Sequence, residues 1–181
     1  PFSGFELDVK DAEIRAVVQK RIDQALDVCA ALEARQMVLH SPYDVWDHAN
    51  LDNGPGDRAR HVRAVLETLK PALDRAEALG VVLVLENIKD VDPAADSPAL
   101  RLSVDTGHAL WAHVTCGAPP VDRFISQAGA NLAHIHLQDA DGYADRHWPL
   151  GRGNILWEAV FTALAGTKAA PHLIVEINDF D

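Results

Sequence analysis

Five segments with the apolar pattern of β-strands each end at an ionisable side chain. Carboxylates and imidazoles bind divalent cations, and they also transfer protons in catalysis. Two of the carboxylates follow fully apolar strands, where an unpaired charge is costly to bury. The strands contain no Lys and a single inward-facing Arg, Arg101, so the pattern favours a divalent cation as the counter-charge. The five strand-end residues are His40, Glu86, Asp105, His136 and Glu176.

Each of these residues, taken alone, has an ordinary structural explanation. Asp105 in the stretch DTGHA is suited to capping a helix, and a lone His on a strand is more often a hydrogen-bonded core residue. The run DRHW at 145–148 is compatible with a charged loop. Taken together, two Glu, one Asp and one His make a mixed oxygen and nitrogen set. Such a set suits Mn²⁺, Co²⁺, Zn²⁺ or Mg²⁺, and the lack of thiolate disfavours a structural zinc site.

The elements that must position these residues alternate along the chain. Apolar spacing predicts a helix over 11–34, capped by Asp8 or Asp11, and another over 57–79, which Pro71 should kink or split and Gly80 should end. No hairpin signal separates the strands, so we expect a parallel α/β sheet. The expected strands are MVLH, VVLVLEN, LRLSVD, LAHIHLQ and HLIVEI, and the shorter helices are HALWAHV, VDRFISQAG and ILWEAVFTALAG.

Side-chain alternation along the strands points the ionisable groups to one side. Ser103 and Asp105 share a face of their strand, and His134 and His136 share a face of the next, while the alternate positions are apolar and suit packing under helices. The carboxyl ends of parallel strands form the edge at which α/β proteins build binding sites. The sequence therefore predicts one site formed by residues at the ends of several strands.

Composition narrows the classes of function. The 181 residues are 48% hydrophobic with a formal net charge of -11, which is typical of one globular domain. With 16 Lys and Arg against 27 acidic residues we expect no nucleic-acid partner, although a local basic groove stays compatible with these numbers. The apolar runs are too short to span a bilayer. Cys29 and Cys116 form no disulfide framework, so we expect a reducing, cytoplasmic location.

Five spaced motifs give the sequence a specific likeness. In this order they resemble the xylose isomerase-like TIM-barrel superfamily, and within it the sugar phosphate isomerase/epimerase group most closely. The resemblance extends from the first residue to the last. The motifs are Glu86-Asn87 after a strand, DTGH at 105–108, HIHLQD at 134–139, RHWPLGRG at 146–153 and VEI at 175–177.

The resemblance implies a (β/α)₈ TIM barrel and a single domain over residues 1–181. Such a barrel usually needs about 250 residues. We therefore expect this chain to cover the end of strand 2 through strand 8, with the first two strands and the last helix outside it. A short strand near DRHWPL would complete the series.

The resemblance also implies roles for particular residues. The single metal would be held by Glu86, Asp105, His136 and Glu176, with Glu86 and Glu176 also acting as catalytic acid and base. The metal would stabilise an enediolate formed from a sugar or sugar phosphate, and proton return on the other face or the adjacent carbon would give epimerisation or isomerisation. Substrate or a second metal would be bound by His40, His108, Asp145, Arg146 and His147, with Trp46, Trp111 and Trp148 as sugar-stacking candidates; Trp157 is at least as well explained by core packing.

Related functions stay open at this point. Endonuclease IV-type enzymes of the same superfamily cleave DNA with three zinc ions, and His40, His108, Asp145 and His147 match their additional ligands. An inosose dehydratase-like lyase and a barrel that binds sugar or metal without catalysis are further alternatives. The acidic balance favours the sugar enzymes over the nuclease. We expect a small-molecule partner and no membrane, and homo-oligomerisation stays open.

Overall fold

The computed structural model describes residues 7–40, 53–87 and 97–178. These residues form two compact units. One unit comprises the described residues up to Leu85 together with Ser97–Arg101. The other comprises Glu86, Asn87 and the described residues from Leu102 onward.

The first unit contains two helices and two parallel strands. Helix α1 (Ala12–Ala31) begins at Asp11, whose carboxylate accepts hydrogen bonds from the Glu13 and Ile14 amides at 2.8 and 3.1 Å. This confirms Asp11, one of the two expected residues, as the cap. The helix buries Val18, Ile22 and Leu26 and packs against α2 (Asp57–Leu79), whereas Ile14 is 48% exposed despite its helical spacing.

Helix α2 continues through Pro71, so the expected split is wrong. It ends at Gly80, which has a left-handed φ of 67° that a glycine adopts without strain. Strand β1 (Gln36–Leu39) pairs in parallel with β2 (Val82–Glu86). All but the first residue of β2 are buried, as its continuous apolar run predicts.

The second unit contains three parallel strands and three α-helices. Strand β4 lies between β3 and β5, and its His136 pairs with Asp105 on one side and Ile174 on the other. The core of this unit includes Val104, Ile125 and Ile135, which are fully buried. The elements are β3 (Leu100–Asp105), α3 (Thr106–Cys116), α4 (Val121–Ala128), a 3₁₀ turn (Gly129–Asn131), β4 (Leu132–Leu137), α5 (Trp157–Gly166) and β5 (His172–Val175).

The described residues contain no strand near DRHWPL, so the prediction of a short strand there is wrong. This segment makes only an isolated antiparallel bridge, in which Asp139 and Trp148 exchange backbone hydrogen bonds of 2.8 and 3.0 Å. Pro149 follows immediately and has no N–H to extend a ladder. The segment is therefore a loop closed by these two backbone hydrogen bonds rather than a strand.

The carboxylate of Asp139 organises that loop. It accepts hydrogen bonds from the amides of Ala140, Gly151 and Ile155 at 2.9, 2.8 and 3.2 Å and from the Trp157 indole at 2.9 Å. Burial alone would raise the pKa of Asp139, but these donors lower it below its usual value. One ionised side chain thus joins residues 139–157 to the start of α5.

No helix among the described residues is long and apolar enough to cross a membrane. The expectation of a single domain over residues 1–181 stays a prediction.

We expect Asp139→Asn to lower the free energy of unfolding by about 2 kcal/mol, because the amide brings no charge to the four donors. The lowered pKa of Asp139 contributes stability above the unfolded pKa, and this contribution is lost as the pH falls through the folded pKa. The difference between the two proteins should therefore shrink below about pH 4. Urea unfolding of both proteins at a series of pH values measures this difference in stability. Asp74→Asn, on the exposed face of α2, is the control.

Candidate metal centre

Four of the five predicted strand-end residues come together in the second unit. Glu86 and Asp105 are the last residues of β2 and β3, His136 lies near the end of β4, and Glu176 directly follows β5. One potential ligand atom from each side chain lies within 4.8 Å of the others. The fifth residue, His40, follows β1 in the first unit, and its role stays a prediction.

The imidazole of His136 supplies positive charge to this cluster. Its Nδ1 donates a short hydrogen bond to Glu86, lies 2.9 Å from an oxygen of Glu176 and 4.0 Å from Oδ2 of Asp105. Burial alone would lower the pKa of His136, but the Glu86 hydrogen bond and the neighbouring carboxylates raise it above its usual value. Without a metal, the three acidic side chains therefore favour the protonated form of His136.

Asp105 is both a helix cap and a member of the cluster. Its Oδ1 accepts the His108 amide at 2.8 Å, which caps α3, and its Oδ2 faces His136. The carboxylate is fully buried, and burial raises its pKa. The side chain of Asn87 fixes the backbone here, since its Oδ1 accepts the Asp105 amide at 2.7 Å.

The cluster fits a divalent cation on charge and on donor chemistry. Glu86 is 2% exposed and Asp105 is not exposed at all, so two carboxylates of the cluster are shielded from water. Burial raises the pKa of Asp105 although the charge of His108 acts to lower it, and a divalent cation would add further counter-charge. Three carboxylates and one imidazole suit Mn²⁺, Co²⁺, Zn²⁺ or Mg²⁺.

A second polar cluster adjoins Asp105. Nε2 of His108 lies 3.4 Å from Oδ2 of Asp145, and Nε2 of His147 lies 3.0 Å from the same oxygen. Burial would lower the pKa of His108, yet Asp105 and Asp145 raise it to about 10; the pKa of His147 is also raised. Conversely, hydrogen bonds from His108 and Gln138 lower the pKa of Asp145, although partial desolvation acts to raise it. These three side chains therefore form a histidine–aspartate–histidine group in which His108 is protonated and Asp145 ionised at neutral pH.

The other predicted substrate residues lie in different surroundings. Arg146 makes hydrogen bonds of 3.0 and 2.8 Å with Asp141, and its guanidinium lies 5.5 Å from the centre of the Trp148 ring. Trp111 and Trp148 are half-buried, and Trp46 lies outside the described residues. Trp157, for which core packing was expected, is half-buried, and its indole N–H donates to Asp139.

Sequence reasoning missed the polar residues that support the cluster. Gln138 and His134 are buried, and neither was assigned a role. Nδ1 of His134 lies 3.2 Å from Oγ of Ser103, and its ring contacts the His136 ring edge-on at 4.7 Å. Burial lowers the pKa of His134 to about 4, so the imidazole that supports His136 is neutral. The available signal was a polar side chain within the apolar strand β4, at His134, and directly after it, at Gln138.

We expect metal binding to release a proton, because Nδ1 of His136 must be deprotonated before it can be a ligand. Affinity should therefore weaken as the pH falls through the raised pKa of His136. Calorimetric titrations near neutral pH, in buffers of different ionisation enthalpy, measure the release. A binding enthalpy that is the same in every buffer would contradict this expectation.

Comparison with known proteins gives a sequence relative of this chain. The uncharacterized protein MJ1311 of Methanocaldococcus jannaschii is 26% identical over 176 residues, which cover 86% of this chain and 55% of MJ1311. The chain thus spans little more than half of that relative.

Two solved structures have the same fold. The TTHB071 protein of Thermus thermophilus, soaked with ZnCl₂, superposes with a TM-score of 0.74 at 28% identity, over 99% of this chain and 70% of that one. A D-tagatose 3-epimerase-like protein superposes with a TM-score of 0.78 at 22% identity, over 98% of this chain and 68% of that one. A family model described as Xylose isomerase-like TIM barrel matches residues 1–181. The chain therefore belongs to the xylose isomerase-like TIM-barrel family.

Proposed function

We propose that this protein is a divalent-metal-dependent sugar or sugar phosphate isomerase/epimerase. The observation that carries the proposal is the cluster of Glu86, Asp105, His136 and Glu176, whose ligand atoms lie within 4.8 Å of one another in a chain of this family. The fold that it shares with a D-tagatose 3-epimerase-like protein supports a sugar substrate. The fold shared with TTHB071, which was soaked with ZnCl₂, is compatible with a metal-dependent activity.

The four clustered side chains would hold the cation. When bound, a divalent cation lowers the pKa of the C–H bond next to a chelated carbonyl and stabilises the negative charge that develops on oxygen. Glu86 and Glu176 are the acid and base in this proposal, one removing the proton and the other returning it. Glu86 is 2% exposed while the Glu176 side chain is 34% exposed, so Glu176 is the one able to exchange its proton with water.

The ionised group beside the cluster suits substrate oxygens. With its pKa raised to about 10, His108 is a hydrogen-bond donor at neutral pH, and its Nδ1 is already engaged by the Asn87 carbonyl at 3.0 Å. Its Nε2 faces Asp145, and in this proposal a hydroxyl or carbonyl oxygen of the substrate would replace Asp145 as the acceptor. We propose that His108 orients the sugar, with Asp145 and His147 holding it in place.

The same group is what favours a second candidate function. His108, Asp145 and His147 converge within hydrogen-bonding range, as the additional ligands of an endonuclease IV-type phosphodiesterase would. The formal net charge of -11 disfavours a duplex DNA substrate. An inosose dehydratase-like lyase would use the first cluster in the same way, and substrate assays separate it from an epimerase.

Metal content tests the proposal against the nuclease. We expect the purified full-length protein to bind about one equivalent of Mn²⁺ or Co²⁺ through four protein ligands and to catalyse deuterium uptake from solvent water into a ketose. Elemental analysis and NMR of ketose substrates provide the two measurements. Three zinc ions per chain with cleavage of abasic DNA would replace the proposal by the nuclease.

We expect Glu176→Gln to lower kcat by roughly 10²–10⁴-fold, because an amide cannot transfer the proton. Glu158→Gln, a matched change at an exposed position in the first turn of α5, should leave kcat unchanged. Metal affinity is measured for each variant so that loss of the ion is separated from loss of proton transfer. Full activity of metal-loaded Glu176→Gln would exclude Glu176 as acid or base.

A further inference from the structure

Gln138 lies between the metal-binding cluster and the loop that carries the second cluster. It directly follows β4, and its side chain is fully buried. On one side it contacts Asp105, a proposed metal ligand, and on the other it contacts Asp145 and His147. A buried amide with these neighbours has no part in the proposed proton transfer, so its position calls for another explanation.

Both N–H groups and the oxygen of the Gln138 side chain are engaged in these contacts. Nε2 has two hydrogens: one faces the Asp105 oxygens at 3.1 and 3.3 Å, and the other is directed to Oδ1 of Asp145 at 2.8 Å. Oε1 accepts the backbone N–H of His147 at 2.7 Å. Since Nε2 donates only, the contact favours ionised carboxylates on both sides.

The local structure leaves room for the amide and fixes its backbone. A Cβ atom on Gly107 would lie 2.4 Å from Cδ of Gln138, so the glycine of DTGH is what permits the close approach. Oγ1 of Thr106 accepts a hydrogen bond from the backbone N–H of Gln138 at 3.0 Å and donates one to the backbone carbonyl of Gln138 at 2.7 Å. The start of α3 therefore holds residue 138 at both its backbone and its side chain.

These contacts have a consequence for each partner. Oδ1 of Asp105 accepts the His108 amide and the nearer of the two Gln138 contacts, whereas Oδ2 has only the longer Gln138 contact of 3.3 Å and lies on the His136 side, so Oδ2 is the oxygen better placed to face a cation. His147 has a left-handed φ of 51°, which costs energy in a residue other than glycine, and its N–H is held by Gln138. The Nδ1 of His147 in turn lies 3.2 Å from the carbonyl of Glu176.

We propose that Gln138 is a positioning residue that couples metal binding to the placement of the Asp145–His147 loop. Its amide presents Oδ2 of Asp105 to the cation and, through the same group, fixes the loop that orients the substrate. Metal binding at Asp105 therefore orders the loop, and a loop held in place strengthens metal binding. This inference rests on the proposed metal-dependent function and adds a coupling between its two clusters.

Two variants remove the bridge in different ways. Gln138→Met keeps the length of the side chain without its hydrogen bonds, and Gly107→Ala displaces an intact Gln138 amide by steric overlap. Residues that orient metal ligands typically change metal affinity by about 10–100-fold when they are replaced. We expect both variants to weaken Mn²⁺ binding within that range in calorimetric titrations of the full-length protein with the metal alone.

Amide hydrogen exchange at His147 provides a second readout. In the unaltered protein, Mn²⁺ should slow exchange of this N–H, because the metal orders Asp105 and thereby Gln138. In Gln138→Met and Gly107→Ala, exchange should be fast with or without the metal. Gln127→Met is the control: it makes the same change at an exposed position of α4, so Mn²⁺ affinity and exchange at His147 should both be unchanged.

The outcomes separate this inference from the proposed function. If the unaltered protein binds Mn²⁺ and both variants bind it equally well, the coupling is wrong while the metal-dependent function stands. If Gly107→Ala alone keeps the affinity of the unaltered protein, the coupling is also wrong. If Gln138→Met does not fold, Gly107→Ala decides. Failure of the unaltered protein to bind Mn²⁺, Co²⁺ or Zn²⁺ would overturn both.

Discussion

Burial of three carboxylates beside one imidazole is the constraint on which the second unit depends. Glu86 and Asp105 are shielded from water, Glu176 is half-buried, and His136 is the group that contacts all three. Like charges at this spacing repel, and burial strengthens the repulsion because little solvent screens it. A proton on His136 relieves this repulsion in part, and a divalent cation held by the four side chains would relieve it further, so the geometry favours binding of a cation.

The position of Asp105 shows how capping and metal binding act together. A carboxylate that caps a helix is fixed by backbone amides, and here the His108 amide holds one oxygen while the other faces His136. The cap limits rotation of the side chain before any ion binds, which reduces the entropy lost on binding. Gly107 adds to this by admitting the Gln138 amide from the other side. The residues of the DTGH motif thus act together to orient the Asp105 carboxylate, the proposed metal ligand.

Sequence predicted the parts of this molecule that depend on local pattern. The boundaries of β3 and the bounds of α2 follow from apolar spacing and from Gly80, and the strand-end residues of the second unit follow from the parallel arrangement. The contacts of Gln138 and Asp139 could not be predicted, since each joins groups from separate segments whose approach is set by tertiary structure. Pro71 shows the converse, because packing of α2 in the folded unit outweighs the local preference to break the helix.

The protonation of His108 bears on the choice between the two proposed chemistries. A histidine whose pKa is raised to about 10 must give up its proton before Nε2 can bind a cation, whereas a sugar oxygen accepts a hydrogen bond from the protonated ring directly. The negative charge of Asp145 that would attract a second metal is already balanced by His108 and His147. An additional metal at His108 must therefore displace a proton from an ion-paired group, while a sugar oxygen needs none displaced. On these grounds the second cluster is better matched to a hydroxyl-rich substrate than to further metal ions.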